Sequence, residues 1–371
     1  MVATRTSGVL GTRVDEVDTP ALFVDLDALD RNVARMAATI TGSGVGWRPH
    51  TKGIKVPAIA HRLLAAGALG VTCAKVSEAE VMADAGIRDI LVANQILGEA
   101  KVRRFAALCL RADPLVAVDS AEGVAQLNQA AAALGVRPRV LVEVDSGMGR
   151  CGTAPGSATV GMAQRVAEAS HLRFTGVMAW EGHAAGIADP EAKRAAVTEA
   201  IGKLVGSAEA CRAAGLPVDI VSCSGTGTYM IAAHVAGVTE LQAGGGVWGD
   251  VHYRDHFGVD HECALRVMTT VVSRPSDRYI VTDGGFKTLG SINAMAEPVG
   301  IPVGQVERFT LSAEHGNLRL NAPETTLRPG DRLEWIVGYS DATVFMHDQI
   351  LGIRRGLVEE VWVIEGRGKL Q

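Results

Sequence analysis

Apolar and polar residues follow two alternating patterns through the middle of the chain. Between about residues 45 and 250, short runs rich in β-branched residues alternate with alanine-rich stretches whose apolar positions have helical spacing. The runs predict buried strands, and the stretches predict amphipathic helices. Eight such units in succession favour a closed (β/α)8 TIM barrel, and a doubly wound open sheet is the alternative. The predicted strands are VGWRPH (45–50), GVTCAK (70–75), DILVAN (89–94), LVAVDS (115–120), RVLVEVDS (139–146), FTGVMAW (174–180), DIVSCSG (219–225) and ELQAGGGV (240–247).

The two ends of the chain have different patterns. ALFVDLDALDRN (21–32) predicts one more strand and helix before the barrel. Beyond about residue 275 the helical spacing disappears and strand-like segments follow. We therefore predict an α/β barrel at residues 27–273 and an all-β domain at residues 274–371, which a strand within residues 1–26 joins. The segments predicted as antiparallel strands are YIVTDGG (279–285), ERFTLSAEHGNLRL (307–320), RLEWIVG (332–338), TVFMHD (343–348) and EEVWVIEG (359–366).

Composition narrows the classes of protein. The 371 residues carry a formal net charge of −5, which provides no basic surface for nucleic acid. No apolar run reaches the ~18 residues that a membrane helix requires, so no membrane partner is expected. The N-terminal segment lacks the basic and apolar regions of a secretory signal. Six scattered cysteines without a C-x-x-C pair predict reduced thiols and a cytoplasmic location.

Polar residues gather where the predicted strands end. In parallel barrels the active site lies at the carboxyl ends of the strands, so these residues are expected to share one rim. A rim crowded with polar groups is what a catalytic site requires. The residues delivered there are His50 and Lys52 after the first strand, Arg150 after the fifth, Trp180 and His183 after the sixth, Ser224, Gly225, Thr226, Gly227 and Thr228 after the seventh, and Gly244 and Gly245 after the eighth.

Two glycine-rich loops at neighbouring strand ends predict an anion site. SGTGT (224–228) and AGGG (243–246) would let backbone N–H groups approach an anion, and threonine hydroxyls add donors. Phosphate sites in such barrels often use the loops after strands seven and eight, although two tight turns without a ligand are the alternative. A partly desolvated Lys52 near a phosphate can form a Schiff base with a carbonyl. Pyridoxal phosphate satisfies both demands, whereas a surface lysine at a strand end is the plainer interpretation.

GMGRCG (147–152) matches the pattern G-x-G-x-x-G and follows a predicted strand. A dinucleotide fingerprint would lie in a βαβ unit with an acidic residue about 20 positions later, at the end of the next strand. Here the next strand ends later, at Glu181, and the motif follows four strand–helix units. A nicotinamide site is therefore a minor alternative.

Several motifs, taken in order over nearly the whole chain, resemble the D-threonine aldolase / D-serine dehydratase family. Members of that family are fold-type III pyridoxal-phosphate enzymes related to the alanine racemase barrel. The resemblance implies a homodimer with an active site at the subunit interface. The motifs are TPALFVDLDAL, RPHTK, VEVDSGMGRCG, EGH, SGTGT, D-x-x-Y (250–253) and AEHG (313–316).

The resemblance also implies roles for individual residues. Lys52 would carry the cofactor aldehyde, and Arg150 would approach the pyridine ring, where it cannot lend the ring nitrogen a full proton. His50, Trp180 and His183 would line the cofactor or substrate side. From their positions alone, His183 and Tyr339 are predicted to join Lys52 as catalytic residues. The phosphate would lie among Ser224, Gly225, Thr226, Gly227, Thr228, Gly244 and Gly245.

The chain departs from the family where a divalent metal would bind. Family members carry Pro-x-His-x-Asp or Pro-x-His-x-Cys in the β-domain, and this chain has Val-Gly-Tyr-Ser-Asp at residues 337–341. Asp341 is kept as a candidate ligand for Mg²⁺, Mn²⁺ or Zn²⁺, but Tyr339 replaces the histidine. A single carboxylate is a poor transition-metal site, so a metal is expected less here than in relatives. Tyr339, His183 or His252 could then transfer the substrate's hydroxyl proton.

These features predict a lyase that acts on a small amino acid, by retro-aldol cleavage of a D-configured β-hydroxy-α-amino acid. Dehydration of such an amino acid is the first alternative, and a metal-independent racemase or aminotransferase on the same scaffold is the second. Two other classes remain open: a non-catalytic carrier of pyridoxal phosphate, and a metal-dependent barrel enzyme with a structural Lys52. The predicted β-domain argues against a carrier, because it adds walls around the site that a carrier would not need.

Overall fold

The computed structural model describes residues 8–371, which form two compact units. The barrel unit comprises Arg35–Gly245 and Gly368–Gln371. The β unit comprises the N-terminal segment through Ala34 and Gly246–Arg367. In residues 8–371, every helix is too short or too polar to span a bilayer.

The first strand of the described residues is β1 (Ala21–Asp25), and helix α1 (Leu26–Gly42) follows it. In the barrel unit a helical segment then lies between each pair of successive strands, and two helices, α7 and α8, lie between β7 and β8. The strands are β2 (Gly46–Trp47), β3 (Val71–Cys73), β4 (Asp89–Gln95), β5 (Asp113–Val118), β6 (Arg139–Glu143), β7 (Arg173–Met178), β8 (Ile220–Cys223) and β9 (Glu240–Leu241). The helices are α2 (Pro57–Ala65), α3 (Val76–Asp84), α4 (Glu99–Leu108), α5 (Ala121–Leu134), α6 (Ser157–Glu168), α7 (Gly182–Ala185), α8 (Pro190–Ala213) and α9 (Tyr229–Ala232).

The eight barrel strands pair in parallel and form a closed ring. Strands β3 to β9 pair in chain order, and β9 pairs with β2. The segment after β2 completes the ring on β3, where the Thr51 amide donates to the Thr72 carbonyl at 2.7 Å and the Thr72 amide donates to the Pro49 carbonyl at 2.9 Å. The predicted (β/α)8 barrel and all eight of its strands are therefore confirmed.

Apolar side chains fill the barrel interior. Alternate residues of a strand point to the same face, so Leu115 and Ala117 of β5 enter one cluster with Leu91 and Leu141 of the adjacent strands. Met178 of β7 completes this cluster, and all five residues are buried. The apolar runs that predicted the strands thus supply the core that holds them together.

Charged side chains close the opposite, amino-terminal end of the barrel. Asp89, Arg139 and Glu240 each begin a strand. The buried Arg48, which follows β2, reaches the two carboxylates: its Nε lies 3.0 Å from Glu240 Oε1 and its Nη2 lies 3.1 Å from Asp89 Oδ2. Arg139 also binds Asp89. Arg48 is 2% exposed, so its charge depends on these carboxylates rather than on water.

The β unit contains a mixed sheet. Strand β1 pairs antiparallel with β10 and parallel with β16, and the other pairs in the sheet are antiparallel. The main strand order is β13-β14-β11-β10-β1-β16-β17, and β15 joins β10 to β12. The elements are β10 (Leu265–Ser276), β11 (Tyr279–Thr282), β12 (Glu297–Pro298), β13 (Val306–Leu311), β14 (Gly316–Leu320), β15 (Arg332–Ile336), β16 (Gln349–Arg354), β17 (Leu357–Val363) and the short helices α10 (Phe286–Leu289) and α11 (Ser340–Thr343).

The predicted domain limits differ from the division between these units. Strand β10 begins at Leu265, inside the range 27–273 that the pattern gave to the barrel, yet it pairs with β1, β11 and β15. The strand expected within residues 1–26 is β1, and residues 1–7 lie outside the described part of the chain. The limits at residues 27 and 273 stay a prediction about independently folding domains.

One predicted strand is wrong. TVFMHD (343–348) forms the end of α11 and a 3₁₀ turn, and the strand follows it as β16. The Ala342 amide donates to the Tyr339 carbonyl at 3.1 Å, and the Ser340 amide donates to Asp250 Oδ2 at 2.8 Å. These bonds favour a helical turn over the β propensity of Thr343 and Val344.

The charged cluster at the bottom of the barrel generates a stability prediction. Replacing Glu240 by Gln leaves Arg48 buried with one charged partner fewer, so we expect the free energy of unfolding to fall by about 3 kcal/mol. Urea unfolding followed by tryptophan fluorescence measures this change. Arg103→Ala, which removes an exposed pair with Glu99, is the matched control and should have little effect. Equal stability of Glu240→Gln and the unmodified chain would contradict the assigned role.

Candidate active site

Lys52 lies on a tight turn directly after β2. The amides of Ile54 and Lys55 both donate to the Thr51 carbonyl at 2.8 Å, which brings the chain back on itself. The Lys52 side chain is exposed, and its amide donates to Nδ1 of the half-buried His50 at 3.3 Å. Burial lowers the pKa of His50 well below its usual value, and the charge of Lys52 lowers it further. The ring is therefore a neutral acceptor that stiffens the turn.

A second lysine supports this turn, and sequence reasoning missed it. Lys55 precedes helix α2, which begins at Pro57, and it adopts a left-handed backbone with φ of 58°. Its buried Nζ lies 3.6 Å from Glu78 Oε1. Glu78 also accepts the Ala74 amide at 2.8 Å, and burial raises its pKa while Lys55 opposes that rise. The only signal in the sequence was a second lysine three residues after Lys52.

The end of β6 supplies a buried carboxyl group beside Arg150. Glu143 is 3% exposed, accepts a hydrogen bond from Gln95 and lies 3.6 Å from Nη2 of Arg150. Burial raises the pKa of Glu143. Arg150 itself is exposed, and its charge contributes to lowering the pKa of His50. The contact that the structure gives for the guanidinium group is with Glu143, at the end of β6.

The GMGRCG segment folds back onto Asp145. Asp145 Oδ1 accepts the amides of Gly147 and Gly149 at 3.0 Å each, and these bonds lower the pKa of Asp145. The next helix, α6, begins only at Ser157, so the segment does not lead into a helix as a dinucleotide fingerprint does. A Cβ built on Gly147 would lie 3.2 Å from the His183 ring, which shows that the exposed His183 packs against this turn.

The loop from Ser224 to Thr228 connects β8 to α9. Ser224 has φ of 73°, a left-handed conformation that non-glycine residues rarely adopt. A Cβ on Gly225 would lie 2.6 Å from the Trp180 ring, so the indole packs directly on the loop. Beneath the loop, the fully buried Glu181 accepts the Thr228 hydroxyl at 2.5 Å.

The glycine turn after β9 lies against the turn that carries Lys52. A Cβ on Gly244 would lie 2.2 Å from the His50 carbonyl oxygen, and the His50 amide donates to the Gln242 carbonyl at 2.9 Å. Any side chain at residue 244 would separate these two segments. The structure therefore brings the ends of β2, β8 and β9 to one rim, as the sequence predicted.

Tyr339 and Asp341 belong to an aromatic cluster in the β unit. The ring of Tyr339 is 4.8 Å from the ring of His252 and 6.0 Å from that of Tyr253. Burial, followed by the negative charge of Asp341, raises the pKa of Tyr339, and a hydrogen bond to Asp341 adds to this rise. Asp250 ties the cluster together by accepting the amides of Tyr253 and Ser340, each at 2.8 Å, and burial raises its pKa to about 7.

Two family descriptions match the chain. Residues 24–252 match the alanine racemase N-terminal domain, and residues 264–353 match a putative serine dehydratase domain. The chain belongs to the alanine racemase N-terminal domain family. The resemblance identified from the motifs is confirmed.

Full-length relatives of this family member have named activities. This chain is 33% identical to 3-hydroxy-D-aspartate aldolase from Paracoccus denitrificans (strain Pd 1222), over 97% of this chain and 94% of that protein. A crystal structure of D-threonine aldolase from Filomicrobium marinum superposes with a TM-score of 0.94 at 36% identity and covers 98% of this chain and 99% of that one. D-threo-3-hydroxyaspartate dehydratase from Delftia sp. HT23 superposes with a TM-score of 0.84 at 29% identity, over 95% and 98% of the two chains.

The rim of this racemase-type barrel fits pyridoxal phosphate, the cofactor that the family implies. It offers an exposed amine at Lys52 for an aldehyde, and Lys55 and Arg150 provide positive charge nearby. Glycines at positions 225 and 244 allow the loops after β8 and β9 to pack more closely than side chains would permit. Glycine turns at adjacent strand ends suit a phosphate group.

The β unit of this family member does not fit a divalent metal ion. Within residues 8–371, no group of three or more histidine, cysteine, aspartate or glutamate side chains is arranged to hold a metal. Tyr339 stands where the resemblance would place an imidazole, and its hydroxyl is hydrogen-bonded to Asp341. His347, the nearest following histidine in the sequence, contacts the Thr288 carbonyl at 2.8 Å. Asp341 is therefore a candidate ligand that lacks the imidazole partner of its relatives.

The surroundings of His50 predict its charge state. Its folded pKa lies below the usual value of 6.5, so the ring should stay neutral at pH 6.5 and lose stabilisation only as the pH falls toward the folded pKa. Replacing Lys52 by Met removes one cause of the shift and should raise the pKa of His50. Nitrogen NMR of ¹⁵N-histidine-labelled protein, with assignment by His50→Asn, measures both values. A His50 ring that is half protonated at pH 6.5 or above would contradict the neutral state assigned to it.

Proposed function

We propose that this protein is a pyridoxal-phosphate-dependent lyase that cleaves a D-configured β-hydroxy-α-amino acid by a retro-aldol reaction. The observation that carries the proposal is the exposed Lys52 at one rim with the glycine turns after β8 and β9. Relatives named as aldolases align over nearly the whole chain at 33% and 36% identity and thereby support this reaction class.

The rim residues divide into groups that would hold different parts of the cofactor. Lys52 would bind the aldehyde, His50 and Trp180 would line the ring, and Arg150 would approach the ring nitrogen. When bound, pyridoxal phosphate supplies the carbonyl that the substrate amine takes over and the π-system that receives the electron pair of the breaking Cα–Cβ bond. The phosphate would lie among Ser224, Gly225, Thr226, Gly227, Thr228, Gly244 and Gly245.

Cleavage requires a group that takes the proton of the β-hydroxyl. We assign this role to His183, which packs on the turn at Gly147. Asp145 holds this turn in place by accepting the amides of Gly147 and Gly149 at 3.0 Å each. As the hydroxyl proton moves to His183, the Cα–Cβ bond breaks, the Cβ fragment leaves as an aldehyde, and Cα later takes a proton to give the smaller amino acid.

Tyr339 is proposed as a residue that positions the substrate rather than as a base. Its raised pKa keeps the phenol protonated at neutral pH, and the hydrogen bond to Asp341 fixes its direction. Because its single proton is directed to Asp341, the phenol oxygen would accept a hydrogen bond from a polar substituent of the substrate, and it is not the base for the hydroxyl proton. The proposal further includes a homodimer with an interface active site, a cytoplasmic location and a small amino acid as the partner molecule.

Dehydration of a β-hydroxy amino acid is the second candidate function. The match of residues 264–353 to a putative serine dehydratase domain and the likeness to the Delftia sp. dehydratase support it. Both reactions begin on the same substrate class, but dehydration expels the hydroxyl group and keeps the Cα–Cβ bond. An aldehyde with a smaller amino acid indicates cleavage, whereas ammonia with an oxo acid indicates dehydration.

The covalent role of Lys52 can be tested directly. After incubation with pyridoxal phosphate, borohydride should fix a pyridoxyl group on the peptide that contains Lys52, because borohydride reduces an imine to a stable amine. Mass spectrometry of a digest identifies the modified lysine. Lys52→Ala should lose this modification while Lys55→Ala, the neighbouring buried lysine, keeps it. Modification of Lys55 in the unmodified chain, or of no lysine, would refute the assignment.

The reaction can be tested by product analysis with D-threonine, D-serine and D-3-hydroxyaspartate, with and without chelator. We expect an aldehyde or oxo acid together with a smaller amino acid, and rates that chelation does not change. Replacing His183 by Gln should reduce kcat about 10²- to 10⁴-fold without changing the amount of bound cofactor, because only proton transfer is lost. Unchanged kcat in His183→Gln would remove that residue from the proposed role.

A further inference from the structure

Much of the hydrogen-bonding capacity of the Ser224–Thr228 loop is directed inward. Glu181 Oε1 accepts the Thr228 hydroxyl at 2.5 Å, and Glu181 Oε2 accepts the Ser224 amide at 3.3 Å. Thr228 Oγ1 in turn accepts the Gly225 amide at 3.3 Å and lies 3.0 Å from Ser224 Oγ. Two amides and a hydroxyl that the sequence assigned to a phosphate are therefore bound within the protein.

The direction of these bonds follows from the carboxyl group. Glu181 accepts from two donors, the Ser224 amide and the Thr228 hydroxyl, so the proton of the Thr228 hydroxyl is directed to the carboxyl oxygen. The oxygen of Thr228 then accepts from the Gly225 amide, and the Ser224 hydroxyl can donate either to this oxygen or to the Gly225 carbonyl at 3.1 Å. One buried side chain thus sets the orientation of the donors in this half of the loop, and it also helps to hold Ser224 in its unfavourable left-handed conformation.

We propose that Glu181 is the positioning residue of the phosphate loop, acting through Thr228 and Ser224. This inference rests on the proposed function, because it takes the loop to be the phosphate site. It places five of the seven predicted phosphate residues in two groups. Ser224 and Thr228 shape the loop, and the amides of Gly227 and of the Gly244–Gly245 turn contact the phosphate.

A buried carboxyl group beneath the loop could instead weaken phosphate binding, and this alternative makes the inference testable. Glu181 is fully buried, and a negative charge beneath a phosphate would repel it. If repulsion dominated, neutralising Glu181 would strengthen cofactor binding. If positioning dominates, neutralisation weakens binding, because the amide of a glutamine would face the Ser224 N–H with a second donor.

The test measures the Kd of pyridoxal phosphate for apoprotein by absorbance titration. We expect Glu181→Gln and Thr228→Val each to raise this Kd about 10- to 100-fold, since each removes a hydrogen bond to a charged group. The double variant should be no worse than the weaker-binding single variant, because both changes break the same contact. Thr228→Ser, which keeps the hydroxyl, should bind like the unmodified chain.

Pyridoxal, which lacks the phosphate, separates positioning from general damage. Its Kd should be the same for the unmodified chain, Glu181→Gln and Thr228→Val. Equal losses for pyridoxal and pyridoxal phosphate, additive losses in the double variant, or tighter binding by Glu181→Gln would each overturn the inference. Failure of the unmodified chain to bind pyridoxal phosphate would instead refute the proposed function itself.

Discussion

Parallel pairing of eight strands into a closed ring is the constraint on which the rest of this structure depends. Because all eight strands run in the same direction, their carboxyl ends meet at one rim, and loops far apart in sequence become neighbours. The ring closes through hydrogen bonds between residues 49–51 and Thr72. Lys52 follows this seam immediately, so the residue with the central proposed role is fixed by the closure of the barrel.

Charged side chains have different roles at the two ends of the barrel. At the bottom, Arg48 is satisfied by Glu240 and Asp89, and the cluster is structural. At the rim, three buried glutamates lie beneath predicted site residues: Glu78 under the Lys52 turn, Glu143 beside Arg150, and Glu181 under the Ser224–Thr228 loop. Burial raises the pKa of each, so their neighbours must supply donors to keep them charged. Several of these donors, among them Lys55, Arg150 and Thr228, belong to the turns that carry predicted site residues. Their bonds to the buried glutamates therefore stiffen the rim.

The sequence predicted features that depend on local pattern and on strand direction. The eight barrel strands followed from apolar runs, and the rim residues followed from their positions after those runs. Glu78 and Glu143 could not be singled out, and Glu181 was named only as a strand end and within the EGH motif, because the burial of all three depends on which turns cover them. TVFMHD was read as a strand because its propensity is β-like, whereas a contact between Ser340 and Asp250, 90 residues apart, favours a helical turn. Strand β10 was missed because its partners, β1, β11 and β15, are separated along the chain.

In the proposed holoenzyme, Lys52 holds pyridoxal phosphate at its aldehyde end, and the glycine turns after β8 and β9 hold its phosphate end. A crystal structure of the protein grown with pyridoxal phosphate tests this most directly. We expect continuous density between Lys52 Nζ and the cofactor, with phosphate oxygens about 3 Å from the amides of Gly227 and of the turn at Gly244. A cofactor bound elsewhere, or a phosphate that contacts neither turn, would contradict this arrangement.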